Sequence, residues 1–237
     1  MLICGHRGSP SNSPENTLAS FKIAIDAGVD MLEFDVHKCK SGEIVVIHDK
    51  DISRTTNGFG KIADLTYNEL QEFDAGNGEK IPLLQEVIEL CEKNNIIALI
   101  EIKAGDAAIP IAEFIKNHVA SGKNTYDKLV VISFQPEILL DVKSIDLNIK
   151  IGLTFKDIKI DILEKTIEKL QPYSVNPCID SVTKEMVDIA RKNGLRTFSW
   201  TVNSISQYQK ARALGADAIM SDFPEMMIDL VKTTQNN

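Results

Sequence analysis

Short apolar runs alternate with amphipathic stretches along almost the whole chain. The runs are rich in β-branched and aromatic residues and predict strands, at residues 2–6, 31–36, 96–103, 129–134, 150–155, 173–177, 195–202 and 216–221. The amphipathic stretches after them predict helices, at residues 15–27, 83–94, 107–121, 136–146, 158–170, 183–193, 204–213 and 224–232. Most of these helices are followed by Gly or Asn, which commonly end a helix.

Eight consecutive strand–helix units predict an α/β fold, a TIM (β/α)₈ barrel. Most of the strands are apolar on both faces, which is typical of a parallel sheet covered by helices. The pattern leaves an open, doubly wound sheet as the alternative. A length of 237 residues is ordinary for one barrel, so residues 1–237 are predicted to form a single domain.

One segment interrupts the alternation, between the second strand and the helix predicted at 83. The sequence IVVIHD, residues 44–49, indicates an extra strand joined to the second strand by the turn KSGE, and TNGFG indicates a further turn. An insertion is therefore predicted at about 41–82. Loops in this position lie at the C-terminal face of a barrel, where active sites form.

Composition and charge exclude several classes of partner. The net charge of −8 gives no long-range attraction to nucleic acid or to an acidic membrane, so any phosphate affinity has to be local. No apolar run approaches the ~20 residues that span a bilayer, so no stable membrane insertion is expected. The four cysteines show no metal-like spacing and predict reduced thiols in a cytoplasmic protein. A homo-oligomer is left open.

Three acidic residues are predicted to meet at one end of the barrel. Side chains alternate along a strand, so Glu33 and Asp35 share a face, as do Glu101 and Lys103 on the next barrel strand. Paired buried carboxylates repel each other unless a cation is present. For the E-x-D pair alone, a solvated or salt-bridged pair of acids is the simpler interpretation. The third carboxylate favours a metal site for Ca²⁺ or Mg²⁺.

Two histidines are candidates for acid–base chemistry. His6 ends the first strand and His48 ends the extra strand, which brings both to the same face of the barrel. We expect His6 to act as base and His48 as acid, although the sequence does not fix the direction. His37 is the nearest rival, but His37 and His118 are interpreted as structural. Asp49 is expected to be an exposed turn residue rather than to orient His48.

Local positive charge and one aromatic residue complete the candidates. Arg7 and Lys103 could bind an anionic substrate in an otherwise acidic chain. Trp200, the only tryptophan, could pack in the core or stack on substrate. Asn203 is expected to cap the next helix. A Schiff-base role for Lys103 is an alternative, but its shared face with Glu101 argues against it.

Together these stretches resemble the glycerophosphodiester phosphodiesterase family. The resemblance covers nearly the whole chain in the family's order and is carried by residues 6–37, 44–60, 81–89, 99–103, 133–139, 198–203 and 215–224. It implies a TIM barrel with a small insertion after the second strand. It also implies metal-dependent hydrolysis of small-molecule glycerophosphodiesters to glycerol 3-phosphate and an alcohol. Related barrel phosphodiesterases are thought to form a cyclic phosphodiester first.

The resemblance also implies roles for individual residues. These are an acid/base pair, three metal ligands and three substrate-binding residues: His6 and His48; Glu33, Asp35 and Glu101; and Arg7, Lys103 and Trp200. Glu15 and Asn16, in the family's PENT loop, are matched too, with Glu15 expected to be structural. Departures from the family pattern, in KCKSGE and IMSDFP, are expected to affect only turns and loops.

Two other functions stay open on the sequence. A lysophospholipid substrate would need an apolar groove, of which the insertion shows little sign. A non-catalytic metal-binding or scaffold barrel would be expected to lack a histidine or a ligand, and none is missing here.

Overall fold

The protein is described by a computed structural model over residues 1–235. The last two residues of the predicted domain, 236 and 237, lie outside this described part. Its strands are β1 (Leu2–His6), β2 (Met31–Lys38), β3 (Ile44–Val46), β4 (Ile97–Ile102), β5 (Leu129–Ser133), β6 (Lys150–Phe155), β7 (Ser174–Pro177), β8 (Arg196–Ser199) and β9 (Ala218–Ser221).

Helices follow the barrel strands and cover the outside of the sheet. They are α1 (Leu18–Ala27), α2 (Tyr67–Glu72), α3 (Leu84–Lys93), α4 (Ala108–Ala120), α5 (Pro136–Ile145), α6 (Ile160–Leu170), α7 (Lys184–Lys192), α8 (Ile205–Leu214) and α9 (Pro224–Gln235). The helix α2 belongs to the insertion. Short 3₁₀ helices lie at Ile52–Arg54, Ile62–Asp64 and Gly105–Ala107.

Eight parallel strands close into a barrel. Cys4 of β1 is in register with Met31 of β2 on one side and with Met220 of β9 on the other, so the sheet has no open end. The predicted TIM barrel is confirmed, and the open sheet is excluded. The extra strand β3 pairs antiparallel with β2, with Val36 opposite Val46, as the hairpin pattern predicted. It ends at Val46 rather than at His48, so His48 lies two residues beyond the strand.

Apolar side chains fill the barrel beneath the predicted site. This inner cluster includes Met31 and Leu99, two residues before Glu33 and Glu101 on the same strands. Because alternate residues share a face, this apolar layer lies directly below the carboxylates inside the barrel. A larger apolar layer separates the sheet from the outer helices.

The insertion has a small core of its own. Its buried members are Cys39, Val45, Ile47, Ile52, Ile62, Leu70, Ala75 and Ile81. Thr66 caps α2 through a reciprocal capping box with Glu69. The backbone N–H of Ile47 donates to the carbonyl of Asp35 (2.9 Å), which holds the residue before His48 against β2.

Several predicted boundaries differ from the structure by one to three residues, and two of them lie next to the site. Helix α1 begins at Leu18 rather than at 15, because Thr17 is its N-cap and accepts a hydrogen bond from the backbone of Ser20. Strand β8 ends at Ser199 rather than at 202. Beyond it, an isolated bridge pairs Trp200 with Cys178, and the backbone N–H of Val202 donates to the carbonyl of Met220 (2.8 Å).

Candidate active site

Three carboxylates converge at the C-terminal ends of β2 and β4. Glu33 and Asp35 are each 1% exposed and Glu101 is 7% exposed. One oxygen of each lies within 4.8 Å of the other two. The strand alternation therefore brings together the three acids proposed from the sequence as metal ligands.

The three carboxyl groups have different proton affinities. Burial, reinforced by the charge of Asp35, raises the pKa of Glu33 to about 8. Burial and Asp35 also raise the pKa of Glu101. For Asp35 burial acts in the same direction, but Lys103 and Arg7 outweigh it and lower the pKa. Without a further cation, the site therefore favours the protonated form of Glu33.

Two buried carboxylate oxygens in this cluster accept no hydrogen bond. They are Glu33 Oε1 and Asp35 Oδ1. Buried polar atoms normally have a partner, since leaving one unpaired is costly. The other oxygens of the same groups are engaged: Glu33 Oε2 accepts from the backbone N–H of Arg7 (3.1 Å), and Asp35 Oδ2 accepts from Asn16 (2.9 Å). Asp35 Oδ1 has an ion-pair partner in Lys103 Nζ at 3.1 Å, whereas no ion pair is found for Glu33 Oε1 among the described residues.

Arg7 and Lys103 lie against the same carboxylates. Arg7 Nε is 3.2 Å from Asp35 Oδ2, and its Nη1 donates to Glu15 Oε1 at 3.0 Å. Lys103 Nζ donates to Glu101 Oε1 (2.5 Å) and lies 3.1 Å from Asp35 Oδ1. Burial lowers the pKa of Lys103, but Asp35 and Glu101 outweigh it and raise it, so the ammonium stays charged.

His6 is held by a carboxylate from the last barrel strand's loop. Its Nδ1 donates to Asp222 Oδ1 (2.6 Å), and its Nε2 lies 3.9 Å from Glu33 Oε2. Burial lowers the pKa of His6, but the bond to Asp222 and the charge of Glu33 outweigh it and raise it. Asn203 Nδ2 donates to Asp222 Oδ2 (2.6 Å). Asn203 thus supports Asp222 instead of capping α8, whose N-cap is Ser204.

His48 is held in the same way by its neighbour. Its Nδ1 donates to Asp49 Oδ1 (2.5 Å), and Arg54 Nε donates to Asp49 Oδ2 (2.5 Å). The prediction that Asp49 is a free turn residue is therefore wrong, because Arg54 turns the carboxylate towards the ring. The hydrogen bond from Arg54, followed by that from His48, lowers the pKa of Asp49 to about 2. Burial lowers the pKa of His48 itself.

The other two histidines make their hydrogen bonds outside the acidic cluster. His37 Nε2 donates to the backbone carbonyl of His48 (3.0 Å), so it braces the hairpin. His118 is on the outer helix α4 and pairs with Glu92 of α3. These contacts support the structural roles predicted for both.

A cavity of about 210 Å³ joins these groups. Its walls include the charged and titratable side chains His6, His48, Arg7, Lys103, Glu33 and Glu101. The other lining residues are Ile132, Phe134, Thr154, Trp200 and Met220. The Trp200 indole N–H donates to the carbonyl of Asn176 (2.8 Å). Its ring packs edge to face against that of Phe134, with 5.4 Å between the ring centroids. Trp200 thus packs against the barrel and faces the cavity at once.

A larger cavity, of about 790 Å³, lies near the N-terminal ends of β7 and β8. Its lining comes from α6, α7 and the turns after them and includes no histidine. Size alone does not identify the reactive site. The smaller cavity has the titratable pairs and the buried charge, so we assign the site there.

Sequence reasoning missed four residues of this arrangement: Asp222, Arg54, Asn16 as a partner of Asp35, and Phe134. Asp222 follows the last barrel strand directly, and that position in the segment IMSDFP was the available signal. Ser221, the departure noted in that segment, donates to Asn203 Oδ1 (3.3 Å) and so touches the support of Asp222.

The fold and this site define a class: a TIM barrel with an acidic, cation-lined acid–base site at its C-terminal face. Comparison with known proteins identifies the family within that class. The model of the glycerophosphoryl diester phosphodiesterase family matches residues 6–226. A glycerophosphodiester phosphodiesterase of Caldanaerobacter subterraneus subsp. tengcongensis is 36% identical over 238 residues, covering 98% of both chains.

Solved structures agree with this match. A phosphodiesterase of Oleispira antarctica, in complex with the product sn-glycerol-3-phosphate, is 27% identical with a TM-score of 0.89, over 98% of this chain and 97% of that one. A glycerophosphodiester phosphodiesterase of Thermotoga maritima is 31% identical with a TM-score of 0.83, over 97% and 98%. The chain belongs to the glycerophosphoryl diester phosphodiesterase family and is an enzyme of that class. The resemblance seen in the sequence is confirmed.

Within residues 1–235, no helix combines the length and the apolar character that crossing a membrane requires.

Proposed function

We propose that this enzyme hydrolyses glycerophosphodiesters to glycerol 3-phosphate and an alcohol in the 210 Å³ cavity. One observation carries the proposal: two carboxylate-anchored histidines, His6 and His48, line the same cavity as Arg7 and Lys103. A phosphodiester needs a proton acceptor, a proton donor and positive charge around its phosphate. The Oleispira antarctica relative holds sn-glycerol-3-phosphate, which is the product of the proposed reaction.

Ca²⁺ or Mg²⁺ fits the acidic cluster. The donor set of Glu33, Asp35 and Glu101 is entirely oxygen, and two of its buried oxygens accept no hydrogen bond. Both features suit a hard divalent cation. When bound there, such an ion supplies Lewis-acid stabilisation of a phosphate oxygen. Its charge would also favour ionised Glu33 over the protonated form.

Arg7 and Lys103 are proposed to bind the phosphate. Both line the cavity while paired with Asp35, so each has a charged N–H group near the substrate position. Fixed positive charge in a dry site stabilises the negative charge that develops on phosphate in the transition state. Trp200, beside Phe134, is proposed to contact the organic part of the substrate.

Both histidines have one ring nitrogen committed to a carboxylate. Since Nδ1 of His6 donates to Asp222 and Nδ1 of His48 donates to Asp49, Nε2 of each ring remains for proton transfer. The pKa of His6 is raised and that of His48 is lowered. Groups whose pKa values are moved apart suit opposite roles. We therefore assign His48 as base and His6 as acid, the reverse of the direction preferred from the sequence.

The nucleophile is proposed to be the substrate's own 2-hydroxyl. His48 takes the proton from this hydroxyl, the oxygen attacks phosphorus, and His6 protonates the departing alcohol oxygen, which leaves a cyclic phosphodiester. Water then opens the ring with the histidine roles exchanged. An internal nucleophile gains an effective molarity of about 10⁵ M or more over a free one. An analogue without the 2-hydroxyl should bind similarly and turn over very slowly.

A substrate panel tests this function. Glycerophosphodiesters with choline, ethanolamine, inositol and glycerol head groups are assayed by coupled detection of glycerol 3-phosphate. We expect turnover of at least one, loss of turnover with chelator, and recovery with Ca²⁺ or Mg²⁺. Release of the alcohol from the deoxy analogue at an undiminished rate would contradict the internal nucleophile. Full activity after exhaustive chelation would contradict the requirement for a metal ion.

Other functions are less compatible with the site. A raised pKa keeps Lys103 protonated, which opposes Schiff-base chemistry. The exposed side chain of Phe59 in the insertion, at 85% exposure, would favour a lysophospholipid substrate. A lysophospholipid is therefore included in the panel, with glycerophosphodiesters expected to be preferred.

A further inference from the structure

Arg54 donates to two separate carboxylates at the edge of the cavity. It ends the 3₁₀ helix Ile52–Arg54 of the insertion. Its Nε donates to Asp49 Oδ2 (2.5 Å), while Nη1 and Nη2 donate to Glu15 Oε2 (3.0 Å) and Oε1 (2.7 Å). Three donors of one planar guanidinium are therefore engaged at once, which a lysine could not reproduce.

Each of these carboxylates also contacts a residue of the proposed reaction. Asp49 uses its other oxygen, Oδ1, to accept from His48 Nδ1. Glu15 Oε1 also accepts from Arg7 Nη1 (3.0 Å). The chain of contacts thus runs from His48 through Asp49, Arg54 and Glu15 to Arg7. It joins the hairpin after β2 to the loop after β1.

We propose that Arg54 is a positioning residue that fixes the position of the His48 side chain relative to that of Arg7. This inference rests on the proposed function of the site and adds to it a residue that does not line the 210 Å³ cavity. His48 and Arg7 lie on different loops, and backbone hydrogen bonds of Ile47 and Arg7 hold each loop to β2. The contacts of Arg54 add a direct link between the two side chains. An in-line displacement requires a fixed distance between the proton acceptor, His48, and the cationic side chain that binds the phosphate, Arg7.

The alternative is an ordinary surface ion pair. Arg54 is 47% exposed, and exposed pairs usually contribute little to stability. That interpretation expects no change in turnover when Arg54 is removed. The positioning role expects the reverse: a folded protein with reduced kcat.

The first test removes the guanidinium and returns it. In the metal-loaded enzyme, R54A should lower kcat by about 10-fold to 100-fold, as loss of an orienting partner commonly does. A cavity of about 550 Å³ beside Arg54, lined also by Glu15 and Asp74, gives solvent access. Added guanidinium should therefore restore part of kcat in R54A. R54K should stay impaired, because one ammonium cannot hold both carboxylates.

Arg196 supplies the matched control. It pairs with Asp217 at 3.1 Å, is 58% exposed, and begins β8 at the other end of the barrel. R196A should keep wild-type kcat and should not respond to guanidinium. Wild-type kcat in R54A, or an equal response of R54A and R196A to guanidinium, would overturn the proposal.

A double variant tests whether Arg54 acts through His48. If it does, adding R54A to H48A should lower kcat far less than R54A lowers it in the wild type. A full multiplicative loss would mean that Arg54 acts elsewhere, contrary to the proposal.

A third readout does not depend on turnover. The Nδ1 proton of His48, hydrogen-bonded to Asp49, should give a downfield NMR signal that is absent from H48A. In R54A this signal should be lost to exchange with water, whereas R196A should retain it. If the wild type fails to hydrolyse any glycerophosphodiester, the proposed function fails, but this signal still decides the role of Arg54. An unchanged signal in R54A would overturn the proposal.

Discussion

Glu33 and Asp35 lie two residues apart on one strand, yet the pKa values of their carboxyl groups are shifted in opposite directions. Burial and the neighbouring Asp35 raise the pKa of Glu33 to about 8, while Lys103 and Arg7 hold that of Asp35 low. The strand period alone was enough to predict that these acids share a face, because alternation is fixed by backbone geometry. A bound cation should ionise Glu33, so metal binding and proton release are coupled.

Partners from distant parts of the chain were beyond the sequence pattern. His6 and Asp222 are 216 residues apart, and only closure of the barrel brings β1 next to β9. Arg54 reaches Glu15 across 39 residues through an irregular loop. No local periodicity encodes contacts of this kind. The candidate histidines and acids could be proposed from the sequence, but their supports required the structure.

Asp222→Asn should weaken the acid role of His6. The carboxylate raises the pKa of His6, so the neutral amide should lower that pKa and weaken the hydrogen bond from Nδ1. His6 acts as acid only when protonated, so its contribution is lost as pH rises through its pKa. We expect kcat to fall by about 10²-fold at neutral pH and its alkaline limb to move to lower pH. A pH profile of kcat measures both effects; an unshifted limb would contradict the acid role.

Among the elements, the extra strand β3 matters most for the site. It pairs with the end of β2 and delivers His48 beside Asp35, the cavity and the insertion's own core. The hairpin was predictable because its apolar run and turn are local signals. The two 3₁₀ helices of the insertion and α2 were not predicted, because helices of three to six residues are too short to show a period.

Ile52→Ala should disturb this element and with it the chemistry. Ile52 is fully buried in the insertion core, on the same 3₁₀ helix as Arg54. Removing its side chain should cost about 2–5 kcal/mol in the free energy of unfolding and also lower kcat through His48. Ile115→Ala, in the fully buried layer under α4, is the control. Urea unfolding and kcat are compared; equal loss of kcat at equal destabilisation would contradict a specific role for the insertion.

At the scale of the molecule, positive charge is scarce but present at the site. The chain has a net charge of −8, and the cavity walls combine Arg7 and Lys103 with the carboxyl groups of Glu33 and Glu101. A divalent ion at the acidic cluster would make the cavity more positive, suited to a phosphodiester anion. The assignment of residues 1–237 to one domain, the cytoplasmic location and a homo-oligomer stay predictions.

Metal binding should stabilise the whole fold. A ligand that binds only the native state at 100 times its Kd adds about 2.7 kcal/mol to the free energy of unfolding. For a chain of this size that corresponds to roughly 5–10 °C in Tm. Saturating Ca²⁺ or Mg²⁺ should therefore raise the Tm of the chelator-treated wild type, whereas Glu33→Gln should respond weakly. An equal rise in both proteins would place the ion elsewhere.

The most direct test of the central claim is the release of glycerol 3-phosphate from a glycerophosphodiester by four proteins. These are the wild type, His6→Ala, His48→Ala and His37→Ala. The account predicts that the first two variants each lower kcat by about 10²-fold or more, because each removes one proton-transfer group. His37→Ala should retain most of the activity. An inactive His37→Ala beside an active His48→Ala would contradict the account.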